Sequence, residues 1–190
     1  MGKFNFEKTP IKDLYVISPT VFGDDRGYFM ETYHYEEFKA AGLDMVFVQD
    51  NQSKSKKGVL RGMHFQTRNS QGKLVRVVRG EVYDVAIDLR EGSETFGKWY
   101  GVLLSEENKK QFYIPEGFAH GFLVTSDTAE FVYKCTNYYD PTSEGGILWN
   151  DSDIEIEWPI TDDMEILLSE KDTKQMTFAE YCEKVKQLGV

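Results

Sequence analysis

The sequence predicts a mainly β fold, an antiparallel sandwich or barrel with one short helix in the N-terminal third and an amphipathic helix near the C-terminus. Three observations predict it. Short β-rich runs recur through the middle of the chain, turn residues separate them, and helical periodicity is confined to residues 33–41 and 177–188. The 190 residues are 41% hydrophobic and 14% aromatic, enough to fill the core of one domain spanning 1–190.

Taken in order, residues 33–41 form the short helix, and Gly42 stands where a left-handed residue closes a helix. His34 falls in it as a surface residue. Residues 59–66 can run as a strand, with Leu60, His64 and Gln66 on one face and Arg61, Met63 and Phe65 on the other. Residues 74–89 are rich in β-branched side chains. Tyr83, Val85, Ile87 and Leu89 alternate there with Asp84, Ala86 and Asp88, and Gly80 suggests a hairpin turn. Residues 99–104, 111–114, 121–125 and 130–136 are further short strands. At the end, Thr177 and Glu180 make a capping box, and Phe178, Tyr181, Cys182, Val185 and Leu188 form one apolar stripe before Gly189. That helix is expected to pack on the outside of the sheets.

Charge narrows the partners. The net charge is −10, which repels a nucleic-acid backbone. Residues 51–80 nevertheless hold eight Lys and Arg and no acid, while residues 141–190 hold four basic and twelve acidic residues. A cationic strip on an acidic chain suits a small anionic ligand. Lys54, Lys56 and Lys57 read as a solvated loop; Arg61, Lys73 and Arg76 sit among apolar residues and fit that reading less well. No apolar run reaches the ~18 residues of a membrane span. The N-terminus has no secretory h-region, and Cys135 and Cys182 are far apart without a CxxC, so a cytoplasmic location with reduced thiols is expected. The glycine signatures of dinucleotide and phosphate-binding loops and the G-x-S-x-G elbow are all missing.

Two histidines remain for chemistry. His120 lies in Pro115-Glu-Gly-Phe-Ala-His120, a P-x-G-x-x-H segment that resembles the second motif of the cupin superfamily of double-stranded β-helix (jelly-roll) barrels. Where a first cupin motif offers H-x-H, this chain has His64-Phe65-Gln66, followed by Arg68 and Lys73. Two histidines beside an ammonium make a poor divalent site, so no metal is expected. His64 is then free to act as a base, since an ordinary imidazole titrates near ~6.5.

Several segments in order resemble the dTDP-4-dehydrorhamnose 3,5-epimerase family: Phe22-Gly-Asp-Asp-Arg-Gly-Tyr-Phe-Met-Glu31, Gln49-Asp-Asn-Gln-Ser-Lys-Ser, Gly58-Val-Leu-Arg-Gly-Met-His-Phe-Gln66, Gly72-Lys-Leu-Val-Arg76, Asp84-Val-Ala-Ile-Asp88, Tyr133-Lys134, Asn137-Tyr-Tyr139 and Gly146-Ile-Leu-Trp-Asn-Asp151. The resemblance implies a cofactor-independent isomerase. It would epimerise C3 and C5 of dTDP-4-dehydro-6-deoxy-D-glucose, giving dTDP-4-dehydro-L-rhamnose. It also implies roles: His64 as general base, Asp172 as its orienting acid, Tyr133 as proton donor on the opposite sugar face, and Lys73 at the C4 oxygen. Arg26, Glu31, Gln49, Asn51, Arg61, His120, Glu144 and Lys171 fall at substrate-binding positions, and Tyr139 at the aromatic that stacks on thymine. A homodimer exchanging N-terminal strands from within residues 1–20 is implied as well.

The residue types suit that chemistry independently. A ketone acidifies its neighbouring C–H bonds because the carbanion spreads onto oxygen. Epimerisation then needs a base on one face, an acid on the other and a cation at the enolate oxygen. Arginines suit a diphosphate. Some readings stay open. Tyr133 shares a strand face with Phe131 and Cys135 and could be core; Lys73 could be a surface lysine; Glu144 sits in a turn; Asp172 could be a loop carboxylate. An epimerase acting at one carbon only, a non-catalytic sugar-nucleotide-binding cupin and a metal-dependent oxygenase are the alternatives.

Overall fold

The computed structural model describes residues 2–188, without the side chain of Leu188; Gly189, expected to end the last helix, lies outside the described residues. The strands are β1 (Phe4–Lys8), β2 (Tyr15–Pro19), β3 (Phe22–Asp24), β4 (Gly27–Phe29), β5 (Gln49–Lys56), β6 (Leu60–Gln66), β7 (Lys73–Arg79), β8 (Glu81–Asp88), β9 (Trp99–Ser105), β10 (Gln111–Ile114), β11 (Phe118–Val124), β12 (Thr128–Cys135) and β13 (Glu144–Gly146). The helices are α1 (Tyr35–Ala40) and α2 (Phe178–Leu188), with a 3-10 turn at Asp172–Lys174. One sheet runs β1-β2-β10-β7-β12-β5 and the other β13-β6-β11-β8-β9, while β3 and β4 form a separate hairpin. Every pairing between these strands is antiparallel.

From β5 to β8, and again from β9 to β12, each successive strand crosses to the other sheet. That alternation is the double-stranded β-helix. It corrects the hairpin expected at Gly80: β7 pairs with β10 and β12, and β8 with β11 and β9, so the turn carries the chain between sheets. Local sequence cannot distinguish the two, because either use of a turn needs the same left-handed glycine, here at φ 75°.

Apolar layers lie between the sheets and outside both. Between them pack Val75, Val77, Phe112 and Phe131 from one sheet against Val82, Ala86, Leu104 and Phe122 from the other. Outside the second sheet, Met63, Phe65, Val85 and Ile87 are covered by Ile147, Ile154, Trp158, Phe178 and Tyr181. Outside the first, Phe38 of α1 packs with Phe4, Ile17, Leu74 and Tyr113. Covering both faces explains β8. Its aspartates alternate with the apolar residues, yet Asp84 and Asp88 are both fully buried.

The helices follow their signals. Gly42 has φ 89°, the conformation that closes α1. The capping box forms: Thr177 N–H donates to Glu180 at 2.8 Å and Glu180 N–H to Thr177 Oγ1 at 3.2 Å. β5 was read as a solvated loop at Lys54, Lys56 and Lys57, yet Lys54 and Lys56 lie in an eight-residue edge strand. The strand has no apolar alternation because Gln49, Asn51 and Ser53 line a polar cavity, Ser55 turns to Arg61, and Asp50, Gln52 and Lys54 are exposed.

Candidate active site

Toward one end of the barrel the interior changes from apolar to polar. On β12 the inward series runs Ala129, Phe131, Tyr133, Cys135; on β7 it runs Val77, Val75, Lys73. Period two therefore carries each strand from the core into a cavity of about 620 Å³ lined by Arg61, His64, Lys73, His120, Tyr133, Lys171 and Asp172. A second space of about 290 Å³, lined by Gln49, Asn51, Tyr139 and Glu144, shares His64, Lys73 and Tyr133 with the first. The two are lobes of one site that meet at those three residues.

His64 enters from β6 and Tyr133 from β12, so they face the cavity from different sheets. Lys73 stands beside Tyr133 on β7, where it is the register partner of Cys135. His64 Nε2 lies 2.5 Å from Asp172 Oδ1. With that nitrogen carrying the proton toward the carboxylate, Nδ1 keeps its lone pair for a substrate. Burial would raise the Asp172 pKa, but hydrogen bonds from His64 and Ser169 outweigh it and hold the carboxyl below its ordinary value. Burial pulls the Lys73 ammonium down, and Cys135, Asp84 and Glu144 oppose it. Burial also raises the Tyr133 phenol, keeping it protonated and able to donate.

Arg61 corrects the facing expected of β6. It lines the same lobe as His64, with Nε and one terminal nitrogen 3.2 Å from Ser55 Oγ. The cause is an irregularity at Gly62: His120 pairs with His64, but Phe122 pairs with Arg61, so two residues oppose one. Gly62 has φ 138°, and a Cβ there would stand 2.5 Å from Gly121 Cα, so only glycine fits. Arg76 follows the pleat to the other face of β7 and lines a further cavity with Gln111 and Lys134, which shares Asn51 and Tyr133 with the smaller lobe.

At the rim, Tyr139 OH donates to Glu144 Oε2 at 2.8 Å, and Lys171 forms an ion pair with the other oxygen of that carboxylate. Burial would raise Glu144, but bonds from Lys171 and Tyr139 hold it low. Both Tyr138 and Tyr139 are exposed, and of the two only Tyr139 lines the smaller lobe. Gln49 and Asn51 are bonded to each other at 3.1 Å. Gln66, in the place of a second cupin histidine, donates to Asn69 O at 2.7 Å and accepts from Asp140 N–H at 3.0 Å, pinning the loop that carries Tyr139.

Two expected binding residues are elsewhere. Arg26 sits at the tip of the β3–β4 hairpin bonded to Asp24, and Glu31 pairs with Lys3; neither lines the cavity of its own chain. One residue was missed. Both oxygens of Asp84 lie 3.0 Å from His120 Nε2, and Asp84 is fully buried. Burial pushes Asp84 up and His120 down, and each pulls the other back. The available signal was an aspartate inside an otherwise apolar strand.

Comparison with known proteins places this arrangement. The family profile described as dTDP-4-dehydrorhamnose 3,5-epimerase matches residues 8–180. A curated dTDP-4-dehydrorhamnose 3,5-epimerase of Salmonella typhimurium is 59% identical over 167 residues, covering 87% of this chain and 90% of its own. The crystal structure of the Elizabethkingia anophelis dTDP-4-dehydrorhamnose 3,5-epimerase superposes with a TM-score of 0.90 at 54% identity, covering 94% of this chain and 98% of that one. A Legionella pneumophila dTDP-6-deoxy-D-glucose-3,5-epimerase, solved in complex with dTDP-4-keto-L-rhamnose, superposes at 0.88 with 50% identity over 92% of each chain.

Proposed function

The chain belongs to the dTDP-4-dehydrorhamnose 3,5-epimerase family, and from that premise we propose how its residues epimerise C3 and C5 of dTDP-4-dehydro-6-deoxy-D-glucose. The observation that carries the reading is an imidazole and a phenol reaching one cavity from different sheets, with an ammonium beside the phenol. His64 removes the proton next to the C4 ketone. Asp172 keeps its tautomer and balances the positive charge that forms, as the acid of a hydrolase triad does. The electron pair moves onto the C4 oxygen, where Lys73 stabilises the enolate. Tyr133 returns a proton from the other face and inverts the carbon. Acid and base contribute ~10²–10⁴-fold each, and a preorganised charge at the enolate is often the largest single contribution.

The two lobes suit different parts of the substrate. Arg61 and Lys171, with Lys56, make the larger lobe cationic. Gln49, Asn51 and Tyr139 make the smaller one polar and aromatic, fit for a pyrimidine base. His120, held by Asp84, contacts the sugar beside Lys73. The working unit is a homodimer. Phe22, Tyr28 and Phe29 of the β3–β4 hairpin are 54–65% exposed, a hydrophobic cluster suited to burial against a second copy. Arg26 on that hairpin, and Glu31 just after it, then complete the partner's site.

The test is incubation with substrate in D₂O without added metal or nucleotide cofactor. Deuterium is expected at both C3 and C5. Label at one carbon only identifies a single-site epimerase, and binding without label removes catalysis. His64→Ala is expected to stop exchange at both carbons while dTDP affinity stays near wild type; exchange at full rate in that variant would exclude His64 as the base.

A further inference from the structure

Asp172 orients His64, and its own orientation has a source in the fold. The segment that carries it is fastened at both ends by main-chain bonds. Leu60 N–H donates to Leu167 O at 3.0 Å, Leu167 N–H to Gly58 O at 2.8 Å, and Leu148 N–H to Met176 O at 2.9 Å. Between these points Ser169, Glu170, Lys171, Thr173 and Lys174 are exposed, while Asp172 is 2% exposed. Ser169 closes on Asp172 in both directions. Its hydroxyl donates to Asp172 Oδ2 at 2.7 Å and accepts from Asp172 N–H at 3.2 Å. Forming the turn requires only the second bond. The first reaches past the main chain to the carboxylate and leaves Oδ1 for His64.

We propose that Ser169 is a positioning residue for the proton transfer, setting the direction in which the Asp172 carboxylate faces His64. The inference rests on His64 being the base. A carboxylate turns easily about its last bond, because that torsion is broad. Tying one oxygen removes the freedom, and an O–H···O⁻ bond is roughly twice as strong as a neutral one. The same bond, with one from the Gly62 backbone, helps keep Asp172 ionised against its burial. The other charged or titratable groups lining this lobe are Lys56, Arg61, His64, Lys73, His120, Tyr133 and Lys171; of these only His64 hydrogen-bonds Asp172 among the described residues.

The experiment measures kcat, KM and their pH dependence in Ser169→Ala. The expected result is a fall in kcat of about 10-fold with KM within about two-fold of wild type. The acid limb should also move to higher pH, since Asp172 without its donor takes up a proton more readily. Ser169→Thr, which keeps the hydroxyl, should restore both. A hydroxyl serving only the fold of the loop would lower the melting temperature and leave the acid limb in place, and that result overturns the proposal. Wild-type kcat in Ser169→Ala overturns it equally. Should the alanine variant not fold, Ser169→Cys, similar in shape but a weak donor, is read by the same criteria. His64→Ala in parallel separates the two ideas. Exchange surviving there removes the base itself, whereas exchange lost there beside an unmoved Ser169→Ala profile removes only Ser169.

Discussion

A phenol that packs on Phe131, ring centroids 5.8 Å apart, while lining the cavity answers a question the residue pattern left open. Tyr133 packs against the core and also lines the cavity, because it stands where the apolar end of the barrel meets the polar end. The two functions separate on substitution. Tyr133→Phe keeps the ring and loses the donor, so deuterium should still wash into recovered substrate while net inversion falls about 10²–10⁴-fold. Inversion at the wild-type rate would place the donor elsewhere. Lys73→Met keeps the length and removes the charge. Its kcat should fall about 10²–10³-fold, the scale of losing one preorganised oxyanion partner. Steady-state kinetics checks it, and an unchanged kcat would move the enolate stabiliser off Lys73.

Among the elements, β8 shows how a strand can hide polar chemistry. Asp84 turns inward to His120, and Asp88 organises the connection to β9. Asp88 Oδ1 accepts from Arg90 Nε at 2.9 Å, and Oδ2 from Ser93 and Thr95 hydroxyls at 2.7 Å each. Burial works against the anion, but these bonds prevail and bring its pKa down to about 2. A depressed carboxylate contributes stability above its unfolded value and loses it as pH falls through the folded one. Between about pH 4 and pH 2, roughly 2 kcal/mol should therefore disappear. Asp88→Asn should be less stable at neutral pH and should lack this part of the acid dependence. Denaturant unfolding at stepped pH measures both, and parallel wild-type and mutant curves would reject the assignment.

At the scale of the whole molecule, Arg26 and Glu31 stand outside the cavity of their own chain, and the hairpin that carries Arg26 is rich in exposed aromatics. Phe22→Asp combined with Phe29→Asp should shift sedimentation from dimer to monomer. It should also weaken substrate binding without altering the His64–Asp172 contact. A monomeric wild type, or a double variant that stays dimeric and fully active, would leave Arg26 without a role. Among the described residues no helix is long and apolar enough to cross a membrane.

Sequence by itself determined the elements with strong local causes: the β-rich middle, the capping box of α2 and Gly42 closing α1; His64, Lys73, Tyr133 and Asp172 came from it only as candidates, through the resemblance of their segments. Local bonding rules and the spacing of recognisable segments survive any folding context. Tertiary structure alone decided which strands share a sheet, why β5 is a strand without apolar alternation, and that Arg61 joins His64 across the irregularity at Gly62. It also decided that Asp84 and Ser169 stand behind His120 and Asp172. Those outcomes depend on which face of a strand another layer covers and on contacts between residues far apart in the chain. Periodicity along one segment carries no information about either.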